Sequence, residues 1–191
     1  MDMKKPFTLV FLGRSGCGKG EQVKRLEKVL KPTLTIHTGA RFREFAKHKT
    51  LAGRIARGII GKGFLAPTWF AEHMWINVLM DELDEKKNVI FDGSPRLRTE
   101  AEFLDEVLEW FGRKNVLALY IDVSEKEATR RLLLRKRGDD YSAAIKNRLA
   151  YFKRDVVPSL NYYKKTGRLI RIDGEQSMED VFADIRKALK V

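Results

Sequence analysis

Phe7-Thr8-Leu9-Val10-Phe11-Leu12-Gly13-Arg14-Ser15-Gly16-Cys17-Gly18-Lys19-Gly20-Glu21-Gln22 is the stretch that decides the fold. Its first six residues are too apolar to alternate cleanly, as expected of a strand buried on both faces of a parallel sheet. The strand runs directly into Gly13-x-x-Gly16-x-Gly18-Lys19-Gly20, and a helical pattern follows. Glycines let backbone N–H groups turn inward around a phosphate, the helix N-terminus adds its positive end, and Lys19 supplies a point charge. In this strand, loop and helix setting, a phosphate cradle outweighs a glycine-rich turn that holds nothing.

Four further apolar runs follow at Leu34 to His37, Asn88 to Asp92, Val116 to Asp122 and Leu169 to Asp173. Between them, helical spacing covers Gln22 to Leu30, Thr68 to Leu83, Thr99 to Phe111, Glu125 to Arg135, Tyr141 to Thr166 and Ser177 to Leu189. Strand and helix alternate throughout, so residues 1–191 are expected to form one α/β domain, a doubly wound five-stranded parallel sheet. Two inserts break the rhythm: a small helical segment at 38–67 and a compact turn at 135–141, Arg135-Lys136-Arg137-Gly138-Asp139-Asp140-Tyr141. Both interrupt connections that follow the carboxyl ends of strands, where such sheets bind ligands. The aromatic and Met positions from Trp69 to Met80 have the spacing of a helix buried on a broad face, which favours core packing over a cofactor box.

Lys and Arg number 38 against 26 Asp and Glu, a formal charge of +12 that calls for an anionic partner. The single cysteine, Cys17, excludes an intrachain disulfide and a Cys-based zinc site, fits a reducing compartment, and reads as a small loop filler. His37, His48 and His73 show no ligand spacing. No run approaches the ~18 consecutive apolar residues of a membrane span, and Met1 to Lys5 lead into the first strand without a cleavage site. A cytoplasmic protein without membrane contact is expected.

Phosphate loops generally carry Ser or Thr after the lysine to touch magnesium; this chain has Gly20, so the metal must be held differently. With Thr38-Gly39, Arg43, Gly63-Phe64-Leu65-Ala66-Pro67, Phe91-Asp92-Gly93-Ser94-Pro95-Arg96, Arg135 to Asp140 and Arg148, in that order, the chain resembles the adenylate kinase family of nucleoside monophosphate kinases over essentially its whole length. The resemblance implies a P-loop kinase fold with a nucleoside-monophosphate-binding insert and a minimal lid loop. It implies ATP and a nucleoside monophosphate, AMP first, as substrates, with Mg2+ accompanying ATP. The missing cysteines exclude zinc from the lid loop, and Lys and Arg spread along the chain with no recognisable nucleic-acid module argue against nucleic acid; a monomer is expected. Gly16, Gly18, Lys19, Gly20, Glu21, Arg131 and Gln176 would form the ATP site, with Arg131 against the adenine. Thr38, Arg43, Ala66, Gly93, Arg96 and Glu100 match the acceptor site. Arg135, Arg137 and Arg148, with Lys19 and Arg96, would close on the transferring phosphoryl group, and Asp92 would order the waters of the magnesium ion.

Elementary chemistry supports this set. Phosphoryl transfer asks little covalent work of a protein but much positioning and charge stabilisation, and guanidinium forks offer bidentate donors that keep their charge. One such arginine is worth ~10³ to 10⁵ in rate. Arg41, Arg54, Arg57, Arg98 and Arg113 read as ordinary surface charges.

Several positions depart from the family. Glu21 stands where Thr is the pattern, and a carboxylate ~4 Å from a phosphate at an effective dielectric of ~20 would cost about 4 kcal/mol. The expected escape is rotation outward to pair with Arg25 four residues on. Glu100 replaces a Gln whose amide both accepts from and donates to adenine; a carboxylate only accepts, which suits guanine better. Alternatively, Thr99-x-x-Glu102 is a capping box and Glu100 merely an acid in a first helical turn. Ala40 and Ser94 replace an acid and an aromatic residue near the acceptor. Asp139 and Asp140 either fix the lid arginines by ion pairing or cap the helix near Tyr141. Adenylate kinase is therefore the leading reading, ahead of a kinase for GMP, CMP or UMP, and of a basic nucleotide- or RNA-binding protein with weak kinase activity.

Overall fold

Side-chain alternation in the first strand, β1 (Thr8–Leu12), sorts the core into two halves. Leu9 and Phe11 join one buried cluster while Val10 and Leu12 join another. The computed structural model describes residues 5–135 and 137–191; Met1 to Lys4 and Lys136 lie outside the described residues, and with them most of the N-terminal segment read above and one residue of the 135–141 turn.

After β1 come α1 (Lys19–Val29), β2 (Thr33–His37), α2 (Thr38–Phe45), α3 (Leu51–Lys62), α4 (Thr68–Glu82), β3 (Asn88–Asp92) and α5 (Arg98–Trp110). The second half runs β4 (Val116–Asp122), α6 (Glu125–Arg135), α7 (Ser142–Tyr151), a π-helical turn at Phe152–Val156, α8 (Val157–Lys165), β5 (Leu169–Asp173) and α9 (Met178–Leu189). The strands form one sheet in the order β2-β3-β1-β4-β5, every pair parallel. Helices α1, α6, α7 and α9 supply the cluster under Leu9 and Phe11; α4, α5 and α8 supply the one under Val10 and Leu12. Because β1 is central, its carboxyl end and the loop after it open where chain connections diverge to either side, the crevice in which such sheets bind ligands.

Helices α2 and α3 make a small third cluster with the start of α4, in which Phe42, Ala46 and Ala56 pack on Phe70, Ala71 and Met74. The α4 stretch is core on one face only: Phe70, Met74, Trp75, Val78 and Leu79 are buried as the spacing predicts, whereas Trp69 and Met80 at its two ends are exposed. Gly63 ends α3 with φ +70, and a Cβ there would lie 2.3 Å from the Ala144 carbonyl oxygen, so only glycine lets α3 close onto α7.

Two local expectations fail. The Thr99-x-x-Glu102 capping box does not form: α5 begins one residue earlier, its N-cap is Leu97 with no side-chain cap, and Glu102 instead pairs with Arg98 at 2.8 Å. The single helix expected over 141–166 is divided by the π-helical turn. Pro158 lacks an N–H and its ring would crowd the Arg154 carbonyl four residues back, and the widened turn absorbs that conflict.

Candidate functional site

Helices α3 and α9 cap their first turns with side chains, Thr50 accepting from the Gly53 N–H and Ser177 from the Asp180 N–H. Helix α1 has no such cap; its N-cap is Gly18 in the left-handed conformation, whose carbonyl takes the Glu21 and Gln22 N–H groups, while no side chain caps the N–H groups before them. An anion is the partner that such a bare positive end accepts. Within the loop, Gly16 has φ +88, and a Cβ on it would lie 2.6 Å from the Ala128 carbonyl oxygen. Lys19 Nζ donates to the carbonyl oxygens of Gly13 at 2.8 Å and Arg14 at 3.0 Å, which folds its ammonium over the concave side of the loop. Cys17 is buried under it, a filler as expected.

Glu21 points outward, its side chain 54% exposed. Its partner is Lys24 at 2.9 Å, not Arg25 as expected. Arg25 is drawn instead to α9, where it meets Glu179 at 2.7 Å and lies over the Phe182 ring.

Asp92 ends β3 opposite His37 at the end of β2, and their side chains meet at 3.2 Å through Nδ1 and Oδ2. The same Oδ2 would lie 3.6 Å from a Cβ on Gly20, so the carboxylate sits beside the start of α1, where other phosphate loops place a hydroxyl. Burial acts to raise the Asp92 carboxyl, but the His37 hydrogen bond and the charges of Lys19 and Arg96 outweigh it and hold Asp92 below the usual value. The hydrogen bond to Asp92 raises His37 in turn, with Glu27 at 3.6 Å on the other ring nitrogen adding to it. Among the described residues no group of three or more His, Cys, Asp or Glu side chains could cage a metal. One ionised carboxylate suits an ion that keeps most of its waters and takes its remaining ligands from phosphates.

Between β3 and α5, Arg96 is held in place by two bonds. Its Nε donates to the Gly93 carbonyl at 2.9 Å and its Nη1 to the Tyr151 hydroxyl at 2.9 Å. Glu100 is buried and turns back to accept from the Arg96 backbone N–H at 2.5 Å. Burial raises the Glu100 carboxyl, Glu72 adding to the effect, despite stabilising contacts from Arg96 and the Leu97 N–H. Thr38 is buried at the start of α2, and its hydroxyl has no hydrogen-bond partner among the described residues. Arg43 lies one turn on, pulled below its usual value by burial first and by the like charge of Arg137 next.

The 135–141 turn is organised by ion pairs. Arg135 grips Asp140 bidentately at 2.7 and 2.8 Å; Arg148 reaches Asp139 and Asp140, each at 2.6 Å; Arg137 holds Asp139. The N-cap of α7 is Tyr141 with no side-chain cap, so of the two readings of these aspartates ion pairing is the one observed. Burial raises both carboxyls, yet Arg137 and Arg148 around Asp139, and Arg135 and Arg137 around Asp140, hold them below their usual value. Three guanidiniums on two carboxylates leave a net positive charge.

At the far end, Arg131 donates to Glu127 at 2.7 Å and to the Gly174 carbonyl at 2.9 Å, and Gln176 donates to Asp184 at 2.8 Å. All seventeen residues singled out from the sequence as site residues, Ala66 and Gly93 included, line a single cavity of about 1020 Å³. Of the arginines set aside, Arg57 donates to the Ala46 carbonyl and Arg113 to that of Lys87, both structural tasks. Sequence reasoning missed His37 and Tyr151, which line the same cavity. Tyr151 had a signal: it lies three residues after Arg148, on the same helix face.

The adenylate kinase family model matches residues 11–168. An adenylate kinase 1 of Nostoc sp. is 33% identical over 181 residues, which cover 95% of this chain and 97% of the relative. The adenylate kinase of Azobacteroides pseudotrichonymphae is 35% identical over 177 residues, 91% of this chain and 92% of its own. That of Thermus thermophilus is 34% identical over 187 residues, 96% and 97%.

Proposed function

The chain belongs to the adenylate kinase family, and on that premise we propose how its residues carry out the reversible transfer of the γ-phosphoryl of ATP to AMP, giving two ADP. The observation that carries the reading is convergence: the phosphate loop with Lys19, the acceptor arginines Arg43 and Arg96, and the ion-paired Arg135, Arg137 and Arg148 all face one cavity.

The uncapped N–H groups of α1, with Gly16, Gly18 and Gly20, hold the ATP β-phosphate, and Lys19 swings from the Gly13 and Arg14 carbonyls to the phosphate oxygens. Arg131 covers the adenine, with Gln176 at its edge. Thr38, Arg43, Gly93 and Arg96 seat the AMP, its base running toward Glu100 and the Ala66 backbone. Magnesium, when bound with ATP, neutralises charge on the phosphate oxygens, and Asp92 is the carboxylate that would hold its water shell. The three lid arginines need little reorganisation, because Asp139 and Asp140 already fix their planes; transition-state charge meets donors set in advance. Excluding water from the closed cavity protects ATP from hydrolysis.

Incubating the protein with magnesium ATP and AMP, GMP, CMP or UMP separately, and quantifying the diphosphates by chromatography, tests this. ADP formation with AMP is expected. Turnover of GMP in preference would move the assignment to a guanylate acceptor read by Glu100, and silence with all four would return the chain to a nucleotide-binding role. Among the described residues no helix is long and apolar enough to cross a membrane.

A further inference from the structure

The Tyr151 hydroxyl stands between the two nucleotide sites. Its oxygen accepts from Arg96 Nη1 at 2.9 Å, on the acceptor side, and lies 3.4 Å from Ser15 Oγ, in the phosphate loop. The ring is buried, with 7% exposure, so the hydroxyl has little freedom to move elsewhere. The Arg96 guanidinium also lies 5.6 Å from the Tyr151 ring centroid. The next residue, Phe152, opens the π-helical turn and carries Arg14 of the same loop over its ring at 4.1 Å. The junction of α7 and the π-helical turn therefore touches the phosphate loop through Tyr151 and Phe152 and the acceptor arginine through Tyr151, where the helix departs from regular geometry; such turns recur at functional sites.

From this geometry we propose that Tyr151 is a positioning residue that fixes the plane of Arg96 for the acceptor phosphate and ties that plane to the phosphate loop. This rests on the adenylate kinase reading above. A guanidinium has five N–H donors in one plane. Gly93 takes one at Nε and Tyr151 one at Nη1, on two of its three nitrogens, which fixes the plane and leaves the remaining donors for a phosphate. A bidentate contact needs that orientation, and side-chain freedom that has to be lost on binding weakens it. Because the tyrosine oxygen accepts from Arg96, its own proton is left to donate, and the nearby acceptor is Ser15 Oγ. The separation between the acceptor clamp and the donor cradle is thus set through one phenol, and that separation governs in-line approach.

Tyr151→Phe removes only the hydroxyl. With steady-state kinetics on wild type and variant, we expect KM for AMP to rise about tenfold, KM for ATP to stay within about twofold, and AMP titrated alone by calorimetry to weaken in parallel. The same substitution in an Arg96→Ala background should add less than about twofold, because a residue acting through Arg96 has nothing left to position. The thermal midpoint should not move. An unchanged KM for AMP overturns the proposal, as does an equal effect with and without Arg96, or parallel losses for both nucleotides with a lowered midpoint. If wild type itself makes no ADP from ATP and AMP, the kinase reading fails and takes this inference with it; an active wild type with an indifferent Tyr151→Phe removes the inference alone.

Discussion

Glu21 lies at the mouth of the proposed phosphate site with its charge directed away from it. Its carboxylate is turned to solvent and held by Lys24 on α1. At that exposure the pair is worth little and salt screens its field. Glu21→Thr is therefore expected to change KM for ATP by less than about tenfold, and a larger gain in affinity would mean that the carboxylate does reach the phosphates. Glu100 is the opposite case, a carboxyl buried against its own backbone with its titration raised. A raised folded value means that ionisation costs stability: nothing is lost below the unfolded value near 4.5, and the cost grows as pH rises through the folded one. Urea unfolding of Glu100→Gln should thus match wild type at pH 4 and exceed it at pH 8. A gap that is constant with pH would contradict the assignment. Which side chain each charge would find was only partly legible. Spacing along one helix pointed Glu21 to Arg25 four residues on, but Arg25 is taken by Glu179, 154 residues away, and Glu21 pairs with Lys24 instead.

At the scale of elements, the strands and most helices were readable within a residue or a few, because apolar runs and helical periods are local signals. The π-helical turn was not, since a helical pattern does not say how a proline inside it will be accommodated. The missing capping box has a related cause: α5 starts at Arg98, so Thr99 falls inside the first turn and Glu100 reaches the backbone before it. The 135–141 turn was legible as arginines and aspartates, with ion pairing as one of two readings; the choice between them needs α6 and α7 side by side. Among these ion pairs the Asp140 carboxylate is fully enclosed, bound to Arg135 and Arg148. Asp140→Asn should lower stability by about 1–3 kcal/mol at pH 7, chiefly by leaving the buried Arg148 guanidinium underpaired, since Arg135 is partly open to solvent. The Asp140 carboxyl is depressed below 3.8, so its contribution is complete above that value and is lost as pH falls toward the folded one. The difference between variant and wild type, followed by denaturant unfolding, should therefore narrow below pH 4.

The molecule as a whole gathers its site from segments that have no proximity in sequence: the loop after β1, the α2–α3 insert, the end of β3, and α6 with α7. Ligands that bind this assembly and not the unfolded chain must stabilise the entire domain. AMP at 100 times its Kd should contribute about 2.7 kcal/mol and, for a domain of this size, raise Tm by about 5–10 °C in a thermal melt. An unmoved midpoint with AMP, alongside a shift with GMP, would transfer the acceptor assignment. The strand order has a further consequence, which belongs to the birth of the protein. Thr8 of the central strand pairs with Val89 on one side and Val116 on the other, so the apolar strand that leaves the ribosome first is the one that waits longest for both neighbours. At ~5–20 residues per second that wait is roughly 5–20 s, during which its sticky edges have only the nascent chain, or a chaperone, for company.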